Sequence, residues 1–184
     1  MSEPQKTFSR KDPSKLFVLP FSNANFMHDL TLLLEEICFR NKKGVIVSYD
    51  LQQAEIAKKL AETGIRIGED VMFIDAVNKF PGQGSNQAQT VVSIEEPIDF
   101  QNIYYYISSY LRKLDSESAF VMVISIYNAL EYTTSDEIAV GMKWIADRTN
   151  EMGVPIFFIY KQGEDGALDS ILSRLVTYRD SFVG

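Results

Sequence analysis

The chain is poor in the side chains that most often do covalent or metal chemistry. His28 is its one histidine and Cys38 its one cysteine. A zinc site draws three or four ligands largely from these two residue types, so no resident metal is expected. A nucleophile–base–acid arrangement would have to join His28 to Ser22, Ser125 or Cys38 and then to a carboxylate. Asp29 adjoins His28 in sequence, which is poor geometry for orienting its imidazole. His28 therefore reads as a helix-surface residue, and Cys38, one position past Ile37, as core packing. The acidic pairs Glu95-Glu96 and Glu164-Asp165 read as solvated loop charge.

The stretch with most to offer a ligand is Lys15 to Glu36, which reads as an apolar strand, a polar turn and an amphipathic helix. A phosphate-binding turn needs glycines so that backbone N–H groups can close around the anion. It also needs a lysine for the outer phosphates and a hydroxyl for magnesium. Laid over G-x-x-x-x-G-K-[ST], the turn runs Pro20-Phe21-Ser22-Asn23-Ala24-Asn25-Phe26-Met27. Pro20 and Asn25 stand where the glycines belong, Phe26 replaces the lysine and Met27 replaces the hydroxyl. An aromatic ring cannot neutralise a triphosphate and a thioether is a poor magnesium ligand, so neither nucleotide nor other cofactor is expected here.

The elements that must position this turn follow from the apolar periodicity. Leu16–Leu19, Gly44–Tyr49, Val71–Asp75, Phe120–Ile126 and Val154–Tyr160 read as buried strands, with a shorter one at Thr90–Ile94. Helices are expected from Phe26, from Asp50 to Thr63, from Pro97 or Asp99, and after the capping box Thr134-Ser135-Asp136-Glu137. A short helix through Leu168, Ile171, Leu172 and Leu175 and an edge strand at Val176–Val183 close the chain. The alternation predicts a three-layer α/β/α fold with a mostly parallel sheet. Ligands in such sheets sit beyond the carboxyl ends of the strands, which places Phe21 to Asn25, Asp50, Asp75, Ser125 to Asn128 and Lys161 at the candidate site.

The 184 residues suit one domain over 15–184 behind a loose polar tail at 1–14. A formal net charge of −7 argues against a general nucleic-acid or anionic-membrane binder. A single cysteine fits a reducing compartment, and the absence of a long apolar run or signal segment points to a cytoplasmic location.

The order of elements resembles a single RecA-like domain of the KaiC-like ATPase family. Ile124 to Tyr132 followed by Thr133 to Glu137 is similar to the strand carrying the family's Walker B aspartate and the segment after it. Thr149 to Val154, Ile156 to Tyr160 and Leu172 to Asp180 also match the family's pattern. The resemblance puts the Walker B aspartate on Ser125 and the family's catalytic glutamate on Asp50. It puts a cation that related oligomers offer to a neighbour's nucleotide on Lys161. On their own terms, Asp50 reads as a helix N-cap and Lys161 as a solvated lysine.

The resemblance and the substitutions together imply an archaeal-type, KaiC-like pseudo-ATPase that is not an enzyme. It is expected to act as a regulatory or scaffold protein through contacts with another protein. The partner would be a KaiC-like paralogue, a signalling component or a second copy of itself. Two alternatives stand beside it. One is a small-ligand module built on the remnant pocket of Ser22, Asn23, Asn25, Phe26, Met27, Asp50 and Ser125. The other is an ATPase that still uses Asp50.

Overall fold

A computed structural model describes residues 16–21, 23–39, 43–50, 53–62, 64–76, 91–94 and 96–161, together with 166 and 171. Six strands form one parallel sheet: β1 (Leu16–Phe21), β2 (Lys43–Ser48), β3 (Val71–Asp75), β4 (Val91–Ser93), β5 (Ala119–Ile124) and β6 (Ile156–Lys161). Their spatial order is β1-β6-β5-β2-β3-β4, and every pair is parallel. Among the described residues, four α-helices lie between them: α1 (Phe26–Phe39), α2 (Gln53–Glu62), α3 (Phe100–Leu111) and α4 (Ser135–Glu151).

Successive strand residues point to opposite faces, so a strand buried on both sides reads as an unbroken apolar run. β5 is such a strand. Its Phe120, Met122 and Ile124 join the layer under α1 and α2, while Val121 and Val123 join the layer under α3 and α4. The first layer receives Leu30, Leu33, Leu34 and Ile37 of α1 with Ile56 and Leu60 of α2. The second receives Ile103, Ile107 and Leu111 of α3 with Ile138, Met142 and Ile145 of α4. The fold is thus the three-layer α/β/α arrangement expected from the alternation.

The helix ends obey local chemistry. The Asp99 carboxylate accepts from the Asn102 amide at 2.9 Å and opens α3. Thr134 Oγ1 accepts from the Glu137 amide at 3.3 Å and opens α4, while the Glu137 carboxylate takes the Thr133 hydroxyl. Past the end of α4, Gly153 adopts φ +73°, a left-handed turn that suits glycine. Within α4, Gly141 lets α3 approach: a Cβ there would fall 2.1 Å from the Phe100 ring.

One expectation changes. β5 ends at Ile124, not Ile126; Ser125 turns the chain and a 3-10 helix runs Ile126–Glu131. Among the described residues α2 runs Gln53–Glu62. Trp144 is partly buried against Tyr104, their rings 5.1 Å apart and edge-on. Tyr105, by contrast, is 63% exposed, which agrees with consecutive helical residues facing different ways. The tail at 1–14, the loop at 78–87 and the expected strand at 176–183 lie outside the described residues. So does most of the expected final helix, of which Ile171 is described and is fully buried in the layer of α3 and α4.

Candidate functional site

Parallel strands bring their carboxyl ends to one side of the sheet, where β1, β6, β5 and β2 deliver Phe21, Lys161, Ile124 and Ser48. After β1 a 3-10 turn, Asn23–Asn25, leads directly into α1. The described part of this turn carries no glycine, and Asn25 is exposed. Phe26 is the first residue of α1 and is turned into the protein, with 4% of its surface exposed. The Phe21 ring meets it edge-on at 6.0 Å. Met27 is partly buried and packs against the same apolar layer. His28 is exposed on the surface of α1. Ser22 and the Asn23 side chain lie outside the described residues.

Beside this ring stands a cation that comes from a different strand. Lys161 ends β6, in register with Phe21 of β1, and its Nζ lies 5.1 Å from the Phe26 centroid. The same Nζ donates to Asp50 Oδ2, forming an ion pair between side chains 18% and 24% exposed. Because β5 lies between β6 and β2, this bridge spans the end of β5. Asp50 is therefore a partner of Lys161, and Lys161 is not a freely solvated cation. Sequence separation hid the pair: the residues are 111 positions apart.

Ser125 follows β5. It adopts φ 56° and ψ 45°, the one non-glycine residue with positive φ among those described. Its amide donates to the Ile159 carbonyl of β6 at 2.9 Å, which fixes the turn. The side chain is fully buried and its hydroxyl has no hydrogen-bond partner. A left-handed non-glycine residue and an orphaned hydroxyl each cost on the order of 1–2 kcal/mol, so this turn is locally unfavourable.

On the β2 side of the bridge the character of the site changes. Tyr49 is 3% exposed and its hydroxyl donates to the Pro97 carbonyl at 3.0 Å. Burial pushes its phenol well above the ordinary tyrosine range. Asn128 Nδ2 donates to the Tyr49 carbonyl at 3.0 Å. Tyr49, Asp50, Ala76, Asn128, Glu131 and Tyr132 together line a crevice of about 130 Å³. Of these, Asp50 and Asn128 were placed at the candidate site by the sequence, and Tyr49, Ala76, Glu131 and Tyr132 were not. The signal available was the strand-end rule, which does point to Ser125–Asn128 and Asp50.

Cys38 is partly buried near the far end of α1, and desolvation together with the Asp70 carboxylate pushes its thiol up to about 11. Such a thiol stays protonated at neutral pH and is a weak nucleophile. Among the described residues no group of three His, Cys, Asp or Glu is placed to hold a metal ion. Among them, too, no helix is long and apolar enough to cross a membrane.

No protein-family model matches the chain, and no curated protein matches it in sequence. Solved structures do match in shape. A KaiC-like protein of the hyperthermophilic archaeon Pyrococcus horikoshii superposes with a TM-score of 0.62 at 12% identity, over 89% of this chain and 70% of that one. An uncharacterized protein of Pyrococcus horikoshii, solved in complex with an unknown peptide, gives 0.63 at 15% identity, over 90% and 74%. The chain therefore has the RecA-like fold of KaiC-like proteins.

Proposed function

We propose that this chain carries a RecA-like, KaiC-like fold whose phosphate-binding turn no longer works, and that it acts by binding protein rather than by turning over nucleotide. One observation supports this reading above the rest. The residue standing in the lysine position of the turn, Phe26, is packed inward, and the cation beside its ring, Lys161, is already bonded to Asp50. A triphosphate entering there would meet a ring and an internally neutralised ion pair. Transition-state stabilisation in phosphoryl transfer depends on cations and backbone donors around the phosphoryl group, and this turn offers neither lysine nor glycine.

A base at Asp50 would first have to leave Lys161, which counts against an ATPase that relies on it. The structural neighbour that holds a peptide favours a peptide or protein partner, including a second copy of this chain. A cytoplasmic setting suits this role.

Calorimetric titration of the full chain with ATP and magnesium tests the proposal. No measurable heat of binding is expected, and no phosphate release on prolonged incubation. Micromolar binding, or hydrolysis abolished by Asp50→Asn, would overturn it. Affinity capture from the native cell is expected to return a stoichiometric protein partner.

A further inference from the structure

Among the described residues the sheet begins at β1, yet β1 is not composed like an outermost strand. Its one described neighbour is β6. Outer strands usually carry charges that keep other chains from pairing with their free N–H and C=O groups. Leu16-Phe17-Val18-Leu19-Pro20-Phe21 carries none, and all but Pro20 are half-buried. Leu16 and Val18 pack on the layer of α3 and α4, Phe17 and Leu19 on that of α1 and α2. Both faces of β1 thus join the core, while its outer edge meets no described strand.

The crossovers indicate where the chain goes after β6. The connections from β1 to β2 and from β2 to β3 move toward the β4 side, through α1 and α2 in one layer. Those from β4 to β5 and from β5 to β6 move toward the β1 side, through α3 and α4 in the other. Opposite directions over opposite faces are the same hand, so all four share one hand, as parallel crossovers almost always do. Lys161 ends β6 at the carboxyl end of the sheet, beside Phe21. Ile171 is helical and fully buried in the layer of α3 and α4. A crossover that leaves β6 through that layer with the same hand moves toward the β1 side. β1 already holds the place next to β6, so the next place is the outer side of β1.

Thirteen residues follow Ile171, against about 5–6 in an ordinary strand. In an extended chain Val176, Tyr178 and Phe182 share one face, and Arg179 and Asp180 bring the charges that β1 lacks. The residues ahead of β1 suit the place less, because Pro4 and Pro13 interrupt them and Lys6, Arg10, Lys11 and Asp12 leave no apolar run. We propose that Val176–Val183 forms a further strand, parallel to β1 and hydrogen-bonded to its outer edge. Pro20 has no N–H, so Leu16–Leu19 carry the ladder. This segment then occupies the place where a foreign strand would add, and a protein partner has to dock elsewhere. The pairing holds whether or not the turn after β1 binds nucleotide.

Two measurements on the full chain test this. In hydrogen exchange followed by nuclear magnetic resonance, the amides of Phe17, Val18 and Leu19 are all expected to exchange at least about a hundredfold more slowly than in an unfolded chain. An open outer edge exposes every second amide of a strand to water, so fast exchange at alternate positions overturns the proposal. In the second, Val18→Cys in a Cys38→Ser background is combined in turn with Thr177→Cys, Tyr178→Cys, Arg179→Cys, Asp180→Cys or Ser181→Cys. Mild oxidation is expected to close a disulfide within one chain at one or two of these positions, at least about tenfold faster than at the rest. Equal rates at all five, no bond at any, or bonds only between chains overturn it.

Discussion

The carboxyl end of the sheet has two unlike regions, a packed turn beside β1 and a crevice between β5 and β2, and the Asp50–Lys161 bridge runs between them. The first is closed by hydrocarbon: Phe26 turned inward, Phe21 against it, Met27 beside them. The second is open and lined by carboxylates, an amide and phenols. Both arise from the same strand order, so topology sets the places and side chains decide their use.

The sharpest way to break this contrast is to unpack the turn beside β1. Phe26→Ala is expected to lower unfolding free energy by about 3–4 kcal/mol, the usual cost of deleting a buried ring. Urea unfolding measures it, and a loss under about 1 kcal/mol would mean the ring fills nothing that matters. Next in size is Lys161→Ala, which leaves Asp50 half-buried without its partner. A loss of about 1–3 kcal/mol is expected, between the values for exposed and fully buried pairs. A double-mutant cycle with Asp50→Asn should show the two effects to be non-additive; strict additivity would mean the bridge is not formed in solution. Smallest, and opposite in sign, is Ser125→Gly. Removing a left-handed Cβ and an unpartnered hydroxyl outweighs the extra freedom glycine gives the unfolded chain, for a net gain of about 1 kcal/mol. A lower melting temperature for that variant would show that the hydroxyl has a role in the folded state.

Most of the architecture was legible in the residues, and the reason is periodicity. Val71–Asp75 reads as a strand because it is short, apolar and bounded by turns, and it is one. The capping threonine of α4 announces itself by the acids that follow it. What stayed hidden depends on contacts across the sheet. Asp50 resembles a helix cap in any local window, and only the insertion of β5 between β6 and β2 puts Lys161 within reach. The Ser125 turn was invisible because Ile126 extends the apolar run of β5, and nothing in the run marks where the strand stops. For the candidate site, residue types were enough to doubt phosphate binding at Phe26. They were not enough to find the crevice between β5 and β2, whose lining comes from the segments after β2, β3 and β5.

The strand that begins the described sheet pairs with the strand that ends it: Leu16 lies beside Ile156. A ribosome making this chain would release β1 and the apolar side of α1 long before their partner exists. Over that interval the greasy flank of α1 has no β6 to lie against, and long-range parallel pairing of this kind is slow to form once it can. Synthesis halted anywhere short of β6 should therefore yield sticky, aggregation-prone fragments, so shortened versions made for partner mapping need to keep both β1 and β6.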